Sequence, residues 1–226
     1  MSKYSDYVKI MDMKEVPSAW PKDMLFDLRG DDMDLDLEAV KRLNGLAGRI
    51  RPLDLMMDLM ARYGHWAFLI YGLLLWFAPG ERKAERRLCC VVTFAAVCAA
   101  SLISFAVGKL WNRPRPFVKD WKVWNFTGHK ANASFPSNHT MNGAVVAMQL
   151  LRMHMPGSGL MTVLAGLLAF SRMFAGVHYP TDLLGGITIA GLVHTVMNAA
   201  PVKGLLVPAA SLCSCLSDWL FRSRGK

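Results

Sequence analysis

Apolar runs separated by short charged breaks organise the chain from about residue 63 onward. The clearest is 88–108, twenty-one residues without a charge, the length that a bilayer core demands. A shorter run, 63–79, precedes it, with Trp66, Tyr71 and Trp76 placed to anchor its ends. After a polar segment, 109–134, the pattern predicts helices over 135–151, 160–176 and 180–200, the last opening on Pro180, a residue suited to a first helical position. Residues 205–220 are apolar but carry Pro208, Ser211, Ser214, Ser217 and Asp218; they read as a sixth span or a hairpin on the surface. Upstream, 50–63 intersperses Asp54, Asp58 and Arg62 among apolar residues, the pattern of an amphipathic helix at the interface. The fold expected is all-α, a polytopic membrane bundle of five to six spans. It divides into a polar acidic N-terminal tail (1–45), a membrane-embedded domain (46–200) and a C-terminal apolar segment (201–226).

Charge sharpens this picture. Residues 1–60 hold twelve of the seventeen acidic residues, leaving five acids against seventeen bases in the remainder. Those bases sit between apolar runs rather than in a stripe, which favours an anionic headgroup or phosphate over nucleic acid as partner. The acidic run Asp31 to Glu38 lacks the glycine and ligand phasing of a calcium loop; a solvated tail with a short helix over 37–46 is expected. Five cysteines, an odd number, all lie in apolar runs and read as small buried hydrophobes. No N-terminal signal peptide is expected, because the first apolar run of useful length begins near residue 64.

Each span reverses the chain across the membrane, so parity assigns the polar groups to faces. Lys109 ends one span and Ser137, Asn138 and His139 begin the next. Two crossings later the chain returns to that face with Arg172, His178 and Asp182. Ionisable groups at such a boundary are functional candidates, and here they share one face. Fixed cations (Lys109, Arg113, Arg115, Arg172), a helix start with free N–H groups and two imidazoles make a phosphate site. A neutral imidazole can attack phosphorus. Asp182, four residues beyond His178, can hold the other ring nitrogen. His139 can then protonate the leaving oxygen and later activate water. No acidic cluster is available to hold a metal, and no cofactor is called for.

Lys109…Arg115-Pro116, Pro136-Ser137-Asn138-His139 and Ser171-Arg172-x5-His178-x3-Asp182 resemble the three signature motifs of the type 2 phosphatidic acid phosphatase superfamily. Asn138 stands where the commonest form has Gly, and the first motif is one residue shorter between Lys109 and Arg115-Pro116 than is usual; either Arg115 fills the arginine role or Arg113 shares it. Within the superfamily the motifs look most like those of bacterial undecaprenyl pyrophosphate phosphatases. The resemblance implies His178 as nucleophile, Asp182 as its partner, His139 as acid/base, and Lys109, Arg115, Ser137, Asn138 and Arg172 as phosphate binders, on the extracytoplasmic face of a multi-pass plasma (inner) membrane protein. The activity so expected is hydrolysis of the terminal phosphate of a polyprenyl pyrophosphate through a phosphohistidine, without metal. Competing readings are a phosphatidate or phosphatidylglycerophosphate phosphatase, a vanadate-dependent haloperoxidase, which the run 88–108 argues against, and a non-catalytic lipid-phosphate-binding protein, which would not need both His139 and His178. Sequence leaves the oligomeric state open.

Overall fold

The structure, a computed structural model, describes residues 34–222; those before and after, including most of the acidic tail, lie outside the described residues. Eight helices follow in order: α1 (Leu35–Asn44), α2 (Arg51–Phe77), α3 (Lys83–Leu110), α4 (Pro116–Lys119), α5 (Asn138–Arg152), α6 (Ser158–Phe174), α7 (Pro180–Met197) and α8 (Ala200–Arg222). Among the described residues there is no strand. Two helices, Lys83–Leu110 and Ala200–Phe221, are long and apolar enough to cross a membrane; the apolar Ser158–Phe174 is shorter.

α5 is the centre, packed against α3, α6 and α7. Small residues let these helices approach. Ala96, Ala100, Met141, Val145, Ala190 and Val193 form one buried cluster between α3, α5 and α7. Where lipid replaces water outside, such close van der Waals packing holds helices together better than bulk hydrophobicity. α7 comes close to the start of α5 at Gly186, where a Cβ would stand 3.0 Å from the Ser137 carbonyl. Much of the bundle's outer surface is apolar. Leu69, Leu73 and Leu74 of α2, Phe94, Leu102 and Phe105 of α3 and Leu212 and Trp219 of α8 are all exposed, an apolar perimeter on three helices where a water-soluble monomer keeps exposed apolar patches small.

Three elements depart from the sequence reading. The interfacial helix expected over 50–63 and the span expected from 63 are one continuous helix, α2. The charges that suggested an interfacial helix are absorbed locally, Arg62 pairing with Asp58 one turn away at 2.6 Å. Residues 205–220 lie within a single helix, α8, despite Pro208, so the hairpin alternative is set aside. α8 is held by a polar clasp: buried Arg87 donates to the Ser214 carbonyl and to Asp218, Lys83 pairs with Asp218 at 2.8 Å, and the Trp76 indole donates to Ser217. Finally, the short helix of the acidic region is not a solvated tail. α1 packs on α6 and α7. Val40 is fully buried against Val123 and Tyr179, worth about 1.5–3 kcal/mol. Asn44 ties its end down, donating to the carbonyls of Trp124 (2.9 Å) and Phe174 (2.8 Å) and accepting from the Trp124 N–H (2.8 Å).

Candidate active site

The site gathers at one end of the bundle, where α3 ends and α5 and α7 begin. The first intrahelical bond of α5 runs from the Met141 N–H to the Ser137 carbonyl, so the amides of Asn138, His139 and Thr140 have no acceptor within the helix. A helix start of this kind favours an anion. The Ser137 N–H donates to the Asp182 carbonyl at 3.1 Å, which fixes the starts of α5 and α7 to each other. That contact depends on the small residues at 185 and 186, because a Cβ at Gly185 would sit 2.3 Å from the Phe135 ring.

His178 lies in the turn between α6 and α7 and is 2% exposed. Its Nδ1 stands 3.4 Å from Asp182 Oδ2, and its Nε2 lies 3.2 Å from Arg115 Nη1. Asp182 is fully buried. It accepts the Tyr179 N–H through Oδ2 at 2.9 Å and an Arg113 N–H through Oδ1 at 2.7 Å. Burial brings the His178 imidazole down to about 4, with Asp182 opposing and the charges of Arg115 and Arg172 adding to the effect. The ring is therefore neutral at pH 7. Nδ1 is buried without a hydrogen-bond partner, Asp182 being its nearest acceptor; in the tautomer that carries its proton there, the Nε2 lone pair faces Arg115.

That cavity, about 530 Å³, is lined by Lys109, Arg115, Asn138, His139 and His178 among the residues that the sequence singled out, and by Asn112, His129 and Asn132, which it did not. Arg115 is 4% exposed and firmly set. It donates to Asn132 Oδ1 from Nε and Nη2, to the Ala133 carbonyl and to the Val177 carbonyl, all at 2.8–3.0 Å. Burial lowers this guanidinium to about 10, with Asp182 opposing; it is still a cation at neutral pH. His129 is also lowered to about 4, by burial and then by Arg115, so this imidazole too stands neutral in the cavity wall beside its cations.

Four candidates do not line this cavity. Ser137 is fully buried, its hydroxyl bonded to that of Thr140 at 3.0 Å. Arg172 is 2% exposed and donates to the Ala61 carbonyl at 2.8 Å, while its Nε is buried without a partner. Asp182 stands behind His178. Arg113 faces away from the cavity: it bonds Thr181 and Asp182, pairs with Asp36 of α1 at 2.5 Å and lies 3.9 Å over the Tyr179 ring. Burial works against its charge, and the bonds to Asp36 and Asp182 outweigh that and raise its pKa. The structure thus separates the two arginines, giving Arg115 the cavity and Arg113 the rear of the Asp182 carboxylate. Asp36 was missed because nothing local distinguishes it within an acidic run. It accepts from Arg113, from the Thr181 N–H at 3.1 Å and from the Thr181 hydroxyl. Among the described residues no group of three His, Cys, Asp or Glu side chains converges on a point.

Comparison with known proteins gives the family. Residues 87–204 match the PAP2 superfamily. The chain is 28% identical over 156 residues to undecaprenyl-diphosphatase BcrC of Bacillus subtilis (strain 168), covering 69% of this chain and 79% of that protein. It is 41% identical over 112 residues to the putative undecaprenyl-diphosphatase YbjG of Escherichia coli (strain K12), covering 49% of this chain and 54%, about half, of that one. The crystal structure of Aquifex aeolicus LpxE superposes with a TM-score of 0.58 at 22% identity, over 73% of this chain and 95% of the other, a likeness of fold. The family match takes in the start of α3 through the start of α8, with Arg115, His139, His178 and Asp182 inside it, and the protein is accordingly a phosphoric monoester hydrolase belonging to the PAP2 superfamily.

Proposed function

We propose that this PAP2 phosphatase removes the terminal phosphate of a polyprenyl pyrophosphate, undecaprenyl pyrophosphate above all, through a phosphohistidine and without metal. The observation that carries the reading is the line Asp182–His178–Arg115. A carboxylate lies behind one ring nitrogen at 3.4 Å and a cation beside the other at 3.2 Å. His178 Nε2 attacks the terminal phosphorus as its bond to the bridging oxygen breaks. The electron pair goes to that oxygen, and His139 supplies the proton. Asp182 stabilises the charge on the phosphorylated imidazole. Water, deprotonated by His139, then attacks the phosphorus, and inorganic phosphate leaves as the P–N bond breaks. Lys109, Arg115 and the free amides of α5 neutralise the equatorial oxygens. Ser137 and Arg172 support the cavity from behind. With cations and amides in these roles, no step calls for a Lewis acid.

All six long helices, α2, α3 and α5 to α8, cross or enter the bilayer in this reading. The catalytic end is extracytoplasmic. Support comes from the opposite end of α3, where Arg82, Lys83, Arg86 and Arg87 cluster, a basic segment of the kind retained in the cytoplasm. The relatives named undecaprenyl-diphosphatase support the substrate.

The test is phosphate release by detergent-purified protein on undecaprenyl pyrophosphate and on phosphatidate, with EDTA present and His178→Ala as control. Preference for the pyrophosphate and an inactive variant are expected. Preference for phosphatidate would move the substrate to phospholipid metabolism, and a turning-over variant would remove His178 as nucleophile.

A further inference from the structure

Two cavities meet at one pair of residues. The polar cavity holds His178, Arg115 and Lys109. The second, about 860 Å³, runs between α2, α3 and α5, and its wall is overwhelmingly apolar, from Phe68 to Phe77 on one side and Cys89 to Val97 on the other. Asn138 and His139 line both. A lipid with its terminal phosphate at His178 and its chain in the apolar cavity must carry its connecting group past these two residues. In a phosphate monoester that group is an uncharged carbon. In a pyrophosphate it is a second phosphate.

The junction has polar groups that the phosphohistidine chemistry leaves unused. His65 of α2 is open to the apolar cavity, its ring edge-on to His139 at 5.4 Å between centroids. Asn142, one turn along α5 from Asn138, lines the same cavity and brings a carboxamide to it. Among the described residues no acidic one lines this cavity to repel an anion.

We infer that His65 and Asn142, together with Asn138, form a subsite for the second phosphate of a lipid pyrophosphate. The inference rests on the pyrophosphatase reading above. When the bridging P–O bond breaks, the electron pair stays on the second phosphate and His139 protonates that oxygen. The remaining charge lies on the non-bridging oxygens, where an imidazole N–H from His65 and the carboxamide NH2 of Asn142 can donate. His65 therefore distinguishes a leaving phosphate from a leaving alcohol.

The experiment compares farnesyl pyrophosphate with farnesyl monophosphate, which share a tail and differ by one phosphate, in the wild type and in His65→Ala, His65→Gln and Asn142→Ala. The quantity read is the ratio of kcat/KM for the pyrophosphate to that for the monophosphate. It should fall roughly 10- to 100-fold in His65→Ala and Asn142→Ala, the scale of a hydrogen bond to a charged group, with His65→Gln between them and the wild type. Equal loss on both substrates would overturn the inference and leave His65 as a support for His139. An unchanged ratio in both alanine variants would overturn it as well. A wild type that turns over only the monophosphate would instead refute the pyrophosphatase reading, and the subsite with it.

Discussion

Replacing Asp36 by Asn should loosen α1 without unfolding the bundle. Asp36 and Arg113 are 13% and 17% exposed in their side chains, so their pairing is poorly screened by solvent. The carboxylate accepts from Arg113 and twice from Thr181. Asn keeps the shape and one acceptor but loses the charge. Hydrogen bonds to charged groups are worth about 1.5–3 kcal/mol and neutral ones about 0.5–1.5 kcal/mol. Because Arg113 keeps its bonds to Asp182 and Thr181, the net loss is about 2 kcal/mol. A tenfold change in population takes about 1.4 kcal/mol, so detachment of α1 should become about 30-fold more frequent. Hydrogen exchange on the detergent-solubilised protein reads this directly. Amides of α1 such as Val40 and Leu43 should exchange about 30-fold faster, while those of α5 keep their wild-type protection. Exchange in α1 within twofold of the wild type would refute the claim that Asp36 fastens this helix.

Lowering the pH should expose the cost of burying His178 neutral: its pKa is about 4 in the folded protein against about 6.5 unfolded. The stability this avoids losing is intact above about pH 6.5 and declines as pH falls to about 4, by up to about 3 kcal/mol. The melting-temperature difference between wild type and His178→Gln should therefore move against the wild type across that window, and a constant difference would contradict the assignment. Phosphate release should persist in EDTA; a loss restored by magnesium would overturn the metal-free mechanism. Gly176→Ala should lower the melting temperature by roughly 3–10 °C, about 1–3 kcal/mol, because residue 176 has φ +69° and a Cβ there would stand 3.0 Å from the Trp124 carbonyl and 2.5 Å from Val123. An unshifted melting curve would show that the turn can relax.

What could be read from the sequence was the family and the local pairings, because these depend on residue types at short spacing. His178 and Asp182 are four residues apart, and the turn before α7 brings them together whatever the rest of the bundle does. The uncharged run 88–108 likewise carries its length in itself and became α3. Arg113 and Arg115, by contrast, could not be fully separated in sequence, where Arg115 was the expected phosphate binder and Arg113 a possible sharer of that role. They diverge because Arg115 precedes Pro116 at the start of α4 and is caught by Asn132, seventeen residues away, while Arg113 meets Asp36, seventy-seven residues away. The continuity of α2 was hidden because Asp58 and Arg62 look like an interface until they are seen to pair. Asn44 reads as one polar residue among many, and only the folded chain brings the Trp124 and Phe174 carbonyls to it.

The apolar perimeter formed by α2, α3 and α8 has a kinetic consequence. A protein with such a rim is always solvated by amphiphile, so its substrate reaches it by diffusion in two dimensions within a bilayer or micelle. The relevant concentration is then a mole fraction of the surrounding lipid or detergent, not moles per litre of buffer. Adding detergent at fixed substrate should slow turnover by surface dilution alone, and adding buffer at a fixed lipid ratio should leave the rate per enzyme unchanged. Affinities for long-chain substrates, and the comparison of variants across them, have meaning only on that scale.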